Sequence, residues 1–91
     1  MIEVDNTVPA MADYAVRVSG NSMVPRFVDQ QIIFIHGQPT LDEGEIGIFY
    51  LNKDTYIKKL GKGSLISINP EYDPIPIGDN DEFRVFGKVV G

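Results

Sequence analysis

The sequence predicts one all-β domain, antiparallel or mixed, and three observations predict it. Apolar runs of five to eight residues recur between Gly-, Pro-, Asn- and Asp-rich punctuation, from "YAVRV" to "FRVFGKVV". No stretch carries the 3.6-residue apolar period of a long helix. The connections are too short for βαβ crossovers, which need a dozen residues or more.

Each element follows from its own pattern. "YAVRV" alternates, with Tyr14, Val16 and Val18 on one face. "QIIFIH" is nearly continuous in apolar residues, which predicts a strand covered on both sides. "QPTLDEGE" carries Pro39 and Gly44 and reads as a loop. "IGIFYLN" and "TYIKKL" flank Asn52-Lys53-Asp54 and make a hairpin. Gly61-Lys62-Gly63 turns into "SLISI". "NPEYDPIPIGDNDE", with three prolines and an acidic cluster, reads as an irregular loop. "FRVFGKVV" is the closing strand, expected at an end of the sheet, where an unpaired edge would favour self-association. Only Met23 to Asp29 suits a helical turn, with Pro25 in its first turn. Residues 1–12 lack a pattern and read as an arm or linker remnant, leaving 13–91 as the domain.

Bulk composition narrows the function. A chain of 91 residues with 43% hydrophobic content supports one core. No apolar run approaches the roughly 20 residues of a membrane span, and the acidic start lacks the basic and apolar regions of a signal peptide. The absence of cysteine removes disulfides, thiolate catalysis and Cys-based zinc sites, and fits a reduced, cytoplasmic setting. One histidine cannot build a multi-histidine metal site, so no metal and no cofactor are expected. A net charge of −5 argues against nucleic-acid binding by this stretch, because such affinity rests on Lys and Arg at phosphates.

The chemistry centres on "VSGNSMVP". A serine after a Gly-Asn turn at a strand end is a turn residue or a nucleophile, and a nucleophilic serine needs a base. His36, at the end of its strand, is one candidate, though a strand-end histidine is more often structural. Asp42, Glu43, Glu45, Asp79, Asp81 and Glu82 lie in loops and read as solvated turn residues; "GDNDE" lacks the spacing of an EF-hand loop. The third candidate is lysine, which becomes a base when burial lowers its pKa. Along "TYIKKL", Tyr56, Lys58 and Leu60 share one face, while Thr55, Ile57 and Lys59 share the other. Lys58 has the larger apolar neighbours and is the preferred base. Ser22 with Lys58 is a variant of triad logic, and the turn at Gly20-Asn21-Ser22 can aim backbone N–H groups at an oxyanion.

These motifs in this order, "VSGNSMVP", "DEGEIGIFYLNKDTYIKKL", "INPEYDPI" and "FRVFGKVVG", resemble the peptidase domain of LexA-like self-cleaving repressors, a group that includes lambda-type phage repressors and UmuD proteins and is more distantly similar to signal peptidases. The resemblance covers residues 13–91. It implies a compact, bent-sheet, barrel-like β domain, Ser22 as nucleophile, Lys58 as general base, and the N–H groups of Asn21 and Ser22 as oxyanion hole. It also implies a homodimer whose substrate is its own upstream segment, cut at Ala-Gly or Cys-Gly, with a RecA filament promoting the cut in the SOS response. DNA would be bound only through an N-terminal helix-turn-helix, which this sequence lacks, as it lacks either dipeptide; a fragment or cleavage product is the expectation. "VDQQ", Val28 to Gln31, stands where many relatives have Asp-Gly-Asp. Two other roles share the motifs: a non-catalytic oligomerisation or sensing domain of a regulator, and a UmuD-like polymerase accessory subunit.

Overall fold

A computed structural model describes residues 12–90. The arm expected at residues 1–12 therefore lies outside the described residues, save for Ala12. Seven strands form one antiparallel sheet: β1 (Tyr14–Arg17), β2 (Ile32–Gly37), β3 (Ile46–Leu51), β4 (Asp54–Leu60), β5 (Ser64–Ile66), β6 (Ile75–Pro76) and β7 (Phe83–Val89). Their order is β1-β2-β7-β3-β4-β5-β6, and the sheet is not closed. None of the described residues forms a helix; Met23 to Asp29 makes only a turn, closed by the Phe27 N–H on the Met23 carbonyl at 2.9 Å.

The closing strand is not at an end of the sheet. β7 lies between β2 and β3, with Ile35 opposite Val89 on one side and Leu51 opposite Phe83 on the other. The pairing order depends on long-range contacts that the local apolar pattern of "FRVFGKVV" does not contain. β2 reaches only Gly87–Val89, so Phe83–Val85 has a ladder partner on the β3 side alone. The β3–β7 register shifts between Ile48 and Phe49, which face Gly87 and Val85. Phe86 is the extra residue of this bulge and is largely exposed. Gly87 is where β7 comes closest to β2: a Cβ there would lie 2.5 Å from the His36 carbonyl oxygen and 2.6 Å from Ile35. Glycine lets the two backbones meet.

β2 also departs from its pattern. Ile33 and Ile35 are buried, whereas Ile32, Phe34 and His36 are half-buried, so one face is core and the other is covered in part. The β3–β4 hairpin turns on Asn52 and Lys53, both at positive φ (49° and 77°), the two-residue geometry that matches strand twist. Asn52 is braced from the acidic cluster: its Nδ2 donates to Asp81 Oδ1 at 2.8 Å, and its Oδ1 accepts the Glu82 N–H at 3.0 Å. The Asp81 carboxylate and the Glu82 N–H thus hold a turn. β6, two residues within the proline-rich stretch, pairs with β5 and was not legible as a strand.

The core falls into two clusters. Val18, Met23, Phe27, Ile33, Ile35 and Ile48 form one cluster; Phe49, Leu51 and Leu65 form the other. β4 runs between them, with Ile57 packed on the first and Tyr56 and Leu60 on the second. Lys58 is the buried charged residue of this strand.

Candidate functional site

The loop after β1 carries Ser22 and is fixed from several directions. Gly20 adopts φ +91°, a conformation that L side chains resist, and its N–H donates to Asp29 Oδ1 at 2.8 Å. That bond ties the two ends of the loop together and holds the Asp29 carboxyl below the usual range. Asp29 belongs to the "VDQQ" stretch that departs from the family pattern, so the altered turn still closes. Met23 and Phe27 are inserted in the core immediately after Ser22 and act as anchors. The Val24 N–H reaches back to the Asn21 carbonyl at 3.3 Å, and the Val24–Pro25 peptide is cis.

Lys58 approaches from β4. It is only 6% exposed, and burial lowers its pKa from the ordinary lysine value. Its cross-strand neighbour on β3 is Gly47, where a Cβ would collide with the Gly87 carbonyl of β7 and with Leu41. Lys58 Nζ lies 2.6 Å from Ser22 Oγ, a short hydrogen bond between residues 36 apart in sequence. The Tyr56 ring centroid is 5.9 Å from the same nitrogen.

Two clefts meet at this pair. The first, about 300 Å³, is largely apolar, with Val16, Val18, Met23, Ile48 and Ile57 on its walls. The second, about 330 Å³, is bounded by the Gly20–Asn21 turn, Tyr56, Ser67, Tyr72 and Asp73. Ser22 and Lys58 border both. An extended chain crossing from one cleft to the other would pass the hydroxyl.

The remaining candidates stand elsewhere. His36 Nδ1 is 3.2 Å from Asp13 Oδ2, which also accepts the Gly37 N–H at 2.7 Å; this group joins the start of β1 to the end of β2 and lines neither cleft. Glu45 pairs with Lys88 across β3 and β7, and the ion pair keeps its carboxyl low. Lys59 faces away from Ser22, opposite Ile46 and Ile66. No group of three or more metal-ligating side chains occurs among the described residues.

Sequence reasoning passed over Asn69 and Asp29 as site residues. Asn69 follows β5, is buried, and hydrogen-bonds to the Ser22 turn. Its one sequence signal was the Asn-Pro-x-Tyr loop, which says nothing about where that loop docks.

The model of the peptidase S24-like family matches residues 2–90. The chain is similar to the LexA repressor of Carboxydothermus hydrogenoformans (33% identity, 86% of this chain, 41% of the relative), to that of Oleidesulfovibrio alaskensis (32%, 86%, 40%) and to that of Syntrophotalea carbinolica (31%, 100%, 48%). The chain thus spans less than half the length of these curated relatives.

Proposed function

The chain belongs to the peptidase S24-like family, and from that premise we propose that it is the self-cleaving domain of a LexA-like repressor, with Ser22 as nucleophile and Lys58 as general base. The observation that carries the reading is the 2.6 Å approach of a desolvated lysine to a serine hydroxyl where two clefts meet.

The chemistry follows from protonation. Neutral Lys58 takes the Ser22 proton as Oγ attacks the scissile carbonyl carbon. The carbonyl oxygen becomes an oxyanion, received by the backbone N–H groups of Asn21 and Ser22. The Lys58 ammonium then protonates the leaving amine as the C–N bond breaks, leaving an ester on Ser22. Lys58 next deprotonates a water that attacks the ester, and the returned proton restores Ser22. Every proton passes through one nitrogen, so the step asks for a neutral lysine, which burial favours.

The substrate in this reading is a segment upstream of the domain, delivered intramolecularly at high effective concentration. Cutting it would separate DNA-binding heads from the domain that pairs them, and paired heads hold a two-half-site operator far better than single ones. Self-association as a homodimer is supported by the exposed Phe86 beside Tyr50 and by the open side of Phe83–Val85. A RecA filament as promoter of the cut, within an SOS response in the cytoplasm, completes the proposal on the strength of the repressor resemblance. No helix among the described residues is long and apolar enough to cross a membrane.

The test joins an upstream segment of a LexA relative, with its Ala-Gly, to Met1. Purified chain incubated at alkaline pH is expected to yield two fragments by mass spectrometry, and Ser22→Ala none. Equal cutting by Ser22→Ala would reject the assignment.

A further inference from the structure

Asn69 is 8% exposed and spends all its polar groups on two loops. Its backbone N–H donates to the Ser22 carbonyl at 2.9 Å, and its Nδ2 donates to the Asn21 carbonyl at 3.0 Å. Its Oδ1 accepts the Glu71 N–H at 3.0 Å, and its carbonyl accepts the Tyr72 N–H at 3.2 Å. The side-chain amide cannot be reversed: Glu71 supplies a donor that needs Oδ1, and Asn21 presents an acceptor that needs Nδ2.

A peptide unit is planar and trans, so its C=O and N–H point in opposite directions. The Asn21 carbonyl and the Ser22 N–H belong to one such unit. Holding the carbonyl toward Asn69 therefore turns the Ser22 N–H away from Asn69. The bond from Asn69 N–H to the Ser22 carbonyl fixes the next unit in the same way. Between them they set both planes that flank the Ser22 Cα, and so the direction of its side chain.

We infer that Asn69 is a positioning residue that aims the Ser22 N–H and hydroxyl for reaction by gripping the carbonyls on both sides of Ser22. The inference rests on Ser22 being the nucleophile. Asn69 touches neither the reacting carbonyl nor Lys58 in this scheme; it acts through the turn. The Asx-type turn to Glu71 and the bond to Tyr72 anchor Asn69 itself, and they carry Tyr72 to the rim of the second cleft. Recognition of the serine turn and shaping of one cleft wall thereby share one residue.

The test uses a fluorophosphonate probe on the 91-residue chain, read by mass spectrometry. Ser22 Oγ attacks phosphorus, the P–F bond breaks, fluoride leaves and the hydroxyl proton passes to Lys58. Asn69→Ser keeps a short acceptor for Glu71 but cannot reach Asn21. Asn69→Asp keeps the Glu71 acceptor and sets an oxygen against the Asn21 carbonyl. Both are expected to label about 10- to 100-fold more slowly than wild type, somewhat less than the loss on deleting an oxyanion donor outright. The alkaline midpoint of labelling in Asn69→Ser should equal that of wild type, because Lys58 keeps its surroundings. Labelling of Asn69→Ser at the wild-type rate would overturn the inference while leaving the Ser22 reading intact. So would a loss accompanied by a midpoint moved toward ordinary lysine, which would mean that Asn69 merely keeps the loop over Lys58. A wild-type chain labelled elsewhere than Ser22 would instead reject the nucleophile, and this inference with it.

Discussion

Replacing Lys58 with methionine should raise stability while removing the proposed base. Methionine follows the lysine stem in length and flexibility, so the contacts of a side chain only 6% exposed are retained. What disappears is the ammonium and its hydrogen bond to Ser22. A lost hydrogen bond from a charged group costs about 1.5–3 kcal/mol. Taking an ion out of water costs several kcal/mol, relieved in part here because Nζ opens onto two clefts. The difference leaves a net gain of about 1 kcal/mol at pH 7. In a domain of this size about 1 kcal/mol moves Tm by roughly 4–8 °C. The pH dependence has a defined sign. Lys58 is lowered from 10.5 in the folded state, so between its folded pKa and 10.5 the unfolded chain binds more protons and wild-type stability rises with pH. The advantage of Lys58→Met should therefore be full below the folded pKa and shrink as pH climbs through that window. Thermal melts of both proteins from pH 6 to 10.5 measure it. A variant with unchanged or lower Tm at pH 7, or an advantage that does not shrink with pH, would refute the desolvation argument.

Three further outcomes follow from the fold. Gly87→Ala should destabilise by about 2–4 kcal/mol in denaturant titrations, because its Cβ would collide with the backbone of β2 at His36. Asp29→Ala should slow fluorophosphonate labelling of Ser22 several-fold by freeing Gly20; in wild type the carboxylate's support is present above the ordinary Asp pKa of 3.8 and is lost as pH falls through the lower folded value. Phe86→Glu should shift sedimentation equilibrium toward monomer, since it places a charge on the exposed bulge of β7; an unchanged dimer would locate self-association elsewhere.

Local chemistry made part of this molecule readable. Alternation along "TYIKKL" was enough to separate Lys58 from Lys59 in burial: Lys58 is buried and Lys59 half-buried. Asn52 and Lys53 punctuated the hairpin for a local reason as well. The place of β7 in the middle of the sheet was not readable, since an apolar strand has the same composition at an edge as in the interior. The bracing of the Ser22 turn was hidden for a related reason. Asp29 sits 9 residues from Gly20, and Asn69 sits 48 from Asn21; each is an ordinary turn residue until the chain folds. His36 drew notice as the one histidine, yet its ring meets Asp13 at the far end of β2.

The most direct measurement is the rate of self-cutting against pH, in the chain extended by a relative's Ala-Gly segment, for wild type and for Lys58→Ala, Lys59→Ala and His36→Ala. The wild-type rate should rise with pH as Lys58 loses its proton, in a window below that of an ordinary lysine. Lys59→Ala and His36→Ala should keep that rise, and Lys58→Ala should be at least about 100-fold slower throughout. A Lys58→Ala chain that cuts at the wild-type rate, or a loss confined to His36→Ala, would contradict Lys58 as the base.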